Sequence, residues 1–131
     1  MAGLALPGAR DRAGTVVTWL LRDGEVLASV EVVGSIADRL LGSRALESEG
    51  SPPALVIRPA RATHTLAGRG RVDVAFLDGE LVVLAVTHLG PGRVALPRAR
   101  SRAILLARSG AFERWHLFPG DRLELTGVEV R

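Results

Sequence analysis

The chain has 131 residues, of which 47% are hydrophobic, 17 are basic and 14 are acidic. This length fits one domain with one core, and the composition is too apolar for a disordered chain. No window approaches the roughly 20 apolar residues of a membrane span, and the opening residues lack a signal-peptide pattern. The absence of cysteine excludes disulfides and thiolate metal sites. We therefore expect one soluble, cytoplasmic domain with an ordered core over about residues 14–126.

All 17 basic residues are arginines, and many of them lie in the middle of the chain. The stretches 57–72 and 81–112 hold four and five arginines respectively and no acidic residue. Specific nucleic-acid binders combine a larger basic excess with aromatic stacking platforms, whereas the net charge here is +3 and aromatic residues make up 4%. We therefore expect no specific nucleic-acid partner and no membrane partner.

Strands separated by turn signals dominate the chain. Apolar, β-rich runs at 15–21 and 25–33 flank one Asp-Gly pair, and runs at 72–77 and 81–88 flank another. Asp-Gly tolerates the positive φ angles of a type I′ turn, so both pairs predict hairpins with two-residue loops. The second loop then pairs Phe76 with Leu81. The face predicted to point at the core consists of Val72, Val74, Phe76, Leu81, Val83 and Ala85.

Two short helices are predicted between the strands. The first covers residues 35–41 and begins at Ser35, a residue type that caps helices. The second carries Phe112, Trp115 and His116 on one face at helical spacing. Both predicted helices are short, and the first has about two turns.

Further strands are predicted at 54–57, 102–107 and 122–125 from their apolar, β-prone residues. Alternation and turn signals recur, while helical stripes stay short. The predicted fold class is therefore mainly β (α+β), a compact antiparallel sandwich or partly closed barrel with two short helices.

Motifs in the middle and near the end of the chain resemble one protein family. The most specific are His64-Thr65 ahead of Asp73-Val-Ala-Phe-Leu-Asp78, and later Gly110, Glu113, Arg114 and Pro119-Gly120-Asp121. Over residues 16–125 the chain resembles domain-of-unknown-function family 192, an uncharacterised ancient conserved region of bacteria and archaea. The resemblance implies a compact β-rich fold with short helices and no established reaction. The chain departs from the family pattern at 39–43 and 67–72, so a binding surface shared by the family is altered in this copy.

The polar residues of these motifs form one candidate binding surface. Its members are Arg39, His64, Thr65 and Asp73. In the catalytic interpretation, His64 is an acid or base that the Asp73 carboxylate orients. In the structural interpretation, which we favour, Thr65 and Asp73 bind backbone groups at a strand entry. His64, Asp73 and His88 are also a conceivable metal triad, but a histidine at a strand end is more often simply hydrogen-bonded, and we predict no metal site.

A second candidate site is an anion patch formed by Arg98, Arg100 and Arg102. Their alternation could present a row of guanidinium groups to phosphate or carboxylate. The alternative is a solvated strand entry, because Ile104 and Leu106 continue the same alternation into the core.

Sequence signatures of common enzymes are absent from the chain, which has no GxxxxGK[ST], HExxH or GxSxG motif and no GxGxxG after a strand. We predict no catalytic residues and no cofactor. The leading hypothesis is a non-catalytic binding or assembly module whose partner is a protein or a small anionic ligand. The alternatives are a small hydrolase or lyase that uses a His/Asp pair, and an arginine-patch binder of anionic ligands.

Overall fold

The computed structural model describes residues 15–34, 46, 52–64, 70–95 and 97–130. Strands dominate these residues, so the predicted mainly β class is confirmed. The elements are, in chain order, β1 (Thr15–Arg22), β2 (Glu25–Val33), β3 (Ala54–Ile57), β4 (Thr63–His64), β5 (Val72–Leu77), β6 (Val83–Leu89), β7 (Val94–Ala95), β8 (Ala103–Arg108), helix α1 (Ala111–Trp115) and β9 (Glu124–Val130).

Most of these strands belong to one sheet. Its seven strands lie in the order β6-β5-β8-β3-β2-β1-β9, and β4 pairs with β7 in a separate two-stranded sheet. Neighbours in the large sheet are antiparallel, except that β2 and β3 run parallel. The predicted antiparallel sandwich or partly closed barrel is wrong here, because the sheet is mixed and is not closed into a barrel. Parallel neighbours need a long crossover, which turn signals between adjacent strands do not reveal.

The two predicted helices have different outcomes. The helix predicted over 35–41 lies outside the described residues. The second helix is present as α1, which contains Phe112 and Trp115 but ends before His116. In the part of the chain that the structure describes, no helix is long and apolar enough to cross a membrane.

The large sheet has a hydrophobic core on each of its two faces. One face is covered by α1, whose Ala111 and Phe112 are buried there, and we call it the helix face. The opposite face packs against the two-stranded sheet through Ala95, and we call it the groove face. The central strands β3, β5 and β8 send alternate side chains into the two cores, which explains why they are continuous apolar runs.

The first Asp-Gly pair forms the predicted turn. Arg22 pairs with Glu25, so the loop has two residues. Asp23 and Gly24 both adopt positive φ, at 52° and 80°. This is the type I′ geometry, whose twist matches the paired strands.

The second Asp-Gly pair forms a longer loop, and the predicted register is wrong. Phe76 pairs with Ala85, not with Leu81. The loop is longer because the Asp78 Oδ1 accepts the backbone N–H groups of residue 80 at 2.8 Å and residue 82 at 3.0 Å, and a bulge between Phe76 and Leu77 shifts the register further. Leu81 takes a positive φ of 64° within this loop. As a result Leu81 and Val83 pack on the helix face, away from Phe76.

Candidate functional site

Asp73 lies on β5, between β6 and β8, and is almost fully buried, with 1% of its surface exposed. One carboxylate oxygen, Oδ2, accepts the backbone N–H of Gly110 at 3.1 Å and that of Phe112 at 3.0 Å. Gly110 stands at the start of α1 and has no side chain with which to cap it. Asp73 therefore satisfies N–H groups at the helix start that would otherwise lack an acceptor.

The other oxygen of Asp73 binds a histidine. Oδ1 lies 2.7 Å from Nδ1 of His88, which is directly opposite Asp73 on β6. The His88 side chain is 70% exposed, while that of Asp73 is 1% exposed. A buried carboxylate thus orients an imidazole that faces solvent, an arrangement that also orients catalytic histidines.

The predicted surface around Asp73 is divided by the fold. Asp73 contacts His88, whereas the backbone of His64 pairs with Val94 in the two-stranded sheet on the groove face. Arg39 and Thr65 lie outside the described residues. No cluster of three or more suitable side chains among the described residues could hold a metal ion.

Arg22 binds the other end of α1, a role that sequence reasoning missed. Its guanidinium donates hydrogen bonds to the carbonyl oxygens of Trp115 at 2.7 Å and His116 at 2.8 Å. It also pairs with Asp121 at 3.1 Å. A negative side chain at the start of α1 and a positive one at its end both complement the helix dipole. Arg22 is 93 residues away from Trp115, so no local pattern indicated this contact.

The predicted row of Arg98, Arg100 and Arg102 is not formed. A turn replaces the expected strand entry, since the N–H of Ser101 donates to the carbonyl of Arg98 at 3.1 Å and β8 begins only at residue 103. Arg98 lies over the Phe76 ring, with 5.1 Å between Cζ and the ring centroid. Arg102 donates to the carbonyl oxygens of residues 99 and 101.

Arg100 belongs to a different electrostatic environment, that of Asp78. Hydrogen bonds from the backbone N–H groups of Val82 and Glu80 lower the pKa of Asp78 below its usual value, and the charges of Arg100 and Arg122 add to this effect. Arg98 therefore lies at the Phe76 ring, whereas Arg100 and Arg102 both lie near the turn at Asp78 and Gly79.

A groove of about 390 Å³ opens on the groove face, between the large sheet and β7. Among the described residues that line it, five are apolar, one carries a hydroxyl and one carries a guanidinium. The lining residues are Phe76, Thr87, Leu89, Val94, Ala95, Pro97 and Arg98. Among the described residues of the predicted sites, Arg98 alone lines this groove. Thr87 and Leu89 were missed because the predicted hairpin register was wrong by four residues at this point. In the structure Thr87 pairs with Val74, and Leu89 pairs with Val72.

Comparison with known proteins establishes similarity of fold. No protein-family profile matches the chain, and a search of curated proteins found no match. The membership of domain-of-unknown-function family 192 therefore stays a prediction.

Three solved structures share the fold at low sequence identity. One is a protein of unknown function from Novosphingobium aromaticivorans DSM 12444, with a TM-score of 0.65, 17% identity, and coverage of 94% of this chain and 95% of that one. Another is a candidate transcription regulator from Sinorhizobium meliloti 1021, with a TM-score of 0.65, 16% identity, and coverage of 88% and 97%. A candidate exported protein from Burkholderia pseudomallei K96243 matches with a TM-score of 0.51 and 16% identity, over 88% of this chain and 26% of that one. The cytoplasmic location of this chain stays a prediction.

Proposed function

We propose that this chain is a non-catalytic binding module that holds a small amphipathic anion in the groove. The observation that carries the proposal is the position of Arg98, which places a cation among mainly apolar lining residues. The volume of about 390 Å³ lies within the usual range for small-molecule sites, about 300–1,000 Å³. Such sites combine apolar walls with a few polar groups that fix the orientation of the ligand.

The contact between Arg98 and Phe76 supports this function. Stacking on the ring holds the guanidinium near the groove without using its N–H groups. Those N–H groups can form paired hydrogen bonds with a carboxylate or phosphate. The apolar part of the same ligand would then contact Leu89 and the exposed Val94, removing apolar surface from water.

Octanoate and octanol test this proposal, since they share an alkyl chain and differ in charge. We expect isothermal titration calorimetry to show binding of octanoate and weaker binding of octanol. Arg98→Gln should weaken octanoate binding by about threefold to tenfold, because one charge-assisted contact is lost at an exposed position. Arg100→Gln is the matched control, since Arg100 lies in the same turn but does not line the groove. Equal binding to the wild type and Arg98→Gln would overturn the proposal.

A second candidate function is a small hydrolase, and the contact between Asp73 and His88 favours it. Asp73 holds Nδ1 of His88, so the exposed ring can offer Nε2 to a water molecule as a general base. The test is hydrolysis of p-nitrophenyl acetate by the wild type and by His88→Gln. A clear loss of rate in His88→Gln supports an enzyme, whereas equal rates would eliminate this candidate.

A further inference from the structure

Two arginine-bearing loops lie side by side next to the groove. The N–H of Arg98 donates to the carbonyl of Arg61 at 3.2 Å, and the N–H of Ala60 donates to the carbonyl of Arg102 at 3.0 Å. The buried Ser101 hydroxyl adds a third link by donating to the carbonyl of Ala60 at 2.9 Å. Three hydrogen bonds therefore fix residues 60–61 against residues 98–102.

The hydrogen bond between Arg61 and Arg98 extends the ladder of the two-stranded sheet. Thr63 pairs with Ala95 in that sheet, and the same two segments meet again at Arg61 and Arg98. Ala95 and Arg98 both line the groove. Arg61 therefore stands at the rim of the groove, beside the arginine that lines it.

The arginine side chains at this rim have no acidic neighbours in sequence. Residues 57–72 and 81–112 contain no Asp or Glu, and the acidic residues between these stretches are Asp73, Asp78 and Glu80. Arg58, Arg61 and Arg98 are all exposed. Within the described ranges, no hydrogen bond or ion pair holds the side chains of Arg58 and Arg61, in contrast to Arg22, which binds two carbonyl oxygens and a carboxylate.

We infer that the rim selects a phosphate monoester with an apolar tail, its head group between Arg61 and Arg98 and its tail in the groove. This inference rests on the proposed function and narrows it to one class of ligand. A phosphate monoester carries a charge of about −1.5 to −2 at pH 7 and three strong acceptor oxygens. A carboxylate can be satisfied by one guanidinium, whereas a dianionic phosphate gains from a second one on the neighbouring loop.

The experiment compares octyl phosphate, octyl sulfate, octanoate and inorganic phosphate by calorimetry at pH 8, where octyl phosphate is a dianion. We expect octyl phosphate to bind the wild type about tenfold more tightly than octanoate or octyl sulfate, on the scale of one added charge-assisted contact. Arg61→Gln should weaken the binding of octyl phosphate by about threefold to tenfold. It should change the affinity for octanoate by less than about twofold. Arg100→Gln should change neither affinity.

The outcomes separate this inference from the function on which it rests. Suppose that octanoate binds and that Arg98→Gln weakens this binding. The phosphate inference is then wrong, and the groove function stands, if octyl phosphate binds no more tightly than octanoate. The same conclusion follows if Arg61→Gln leaves the affinity for octyl phosphate unchanged. If neither octanoate nor octyl phosphate binds, both are wrong. If inorganic phosphate binds as tightly as octyl phosphate, the tail contributes nothing, and an amphipathic ligand is excluded in favour of free phosphate.

Discussion

The two faces of the large sheet use charged side chains in opposite ways. On the helix face, Asp73 and Arg22 bind backbone groups at the two ends of α1. On the groove face, Arg98 lies over an aromatic ring, with its guanidinium exposed. A charge that satisfies buried backbone groups contributes to folding, whereas a charge held beside an apolar groove is available to a ligand. The comparison predicts that substituting Asp73 or Arg22 on the helix face lowers the stability of the protein strongly. Substituting Arg98 on the groove face should lower it only slightly.

Asp73→Ala should cause the largest loss, about 2–4 kcal/mol in the free energy of unfolding, because two N–H groups of a buried helix start lose their acceptor. Urea denaturation measures this change. Asp73→Asn is the control, since its amide oxygen can still accept both N–H groups, and its cost should be smaller. A stable Asp73→Ala variant that has lost hydrolytic activity would instead make the carboxylate a functional group and break the comparison.

Arg22→Met should cost about 1–2 kcal/mol, because the carbonyl groups at the end of α1 lose a charged donor while the aliphatic part of the side chain is kept. Thermal and urea unfolding report the loss. Arg22→Lys should recover part of it, since an ammonium can donate to one carbonyl but lacks the planar fork of arginine. If the Arg22→Met variant were as stable as the wild type, the contact of Arg22 with the C-terminal end of α1 would be dispensable.

Asp78 sharpens the comparison, because it binds backbone N–H groups as Asp73 does but in a surface loop. Its pKa is lowered in the folded protein below the ordinary value of 3.8. Its contribution to stability is therefore complete above that ordinary value and is lost as the pH falls through the lower folded value. Between about pH 5 and pH 2, wild-type stability should fall more steeply than that of Asp78→Asn. Parallel curves for the two proteins would show that these hydrogen bonds do not stabilise the turn.

Arg98→Gln should have the smallest effect on stability, a loss of about 0.5–1 kcal/mol, on the scale of an exposed cation–π contact. Its effect should appear instead in octanoate binding. A loss larger than that of Arg22→Met would place Arg98 among the structural charges and would remove the distinction between the two faces.

Local sequence predicted much of the fold, as strands 25–33, 54–57 and 72–77 show by having the observed boundaries. It also predicted that the carboxylate of Asp73, within an apolar strand, must be hydrogen-bonded. The partners could not be predicted, because Gly110 and Phe112 lie 37 and 39 residues away along the chain.

The two Asp-Gly pairs show why the candidate sites were harder to predict than the strands. The dipeptide is the same, but in the second hairpin the Asp78 side chain captures two N–H groups and lengthens the loop. The resulting shift brings His88 opposite Asp73 and places Thr87 and Leu89 in the groove. The longer loop at Asp78 and the bulge between Phe76 and Leu77 thus together set the register on which both candidate sites depend.

The pairing of β1 with β9 has a consequence for synthesis. Thr15 lies opposite Val130, so the first and last described strands are neighbours in the sheet. Until the ribosome has released β9, the outer edge of β1 lacks its partner and exposes unpaired backbone groups to other chains. Pairing between such distant segments is also slow to form. The nascent protein therefore exposes this edge of β1 until β9 emerges.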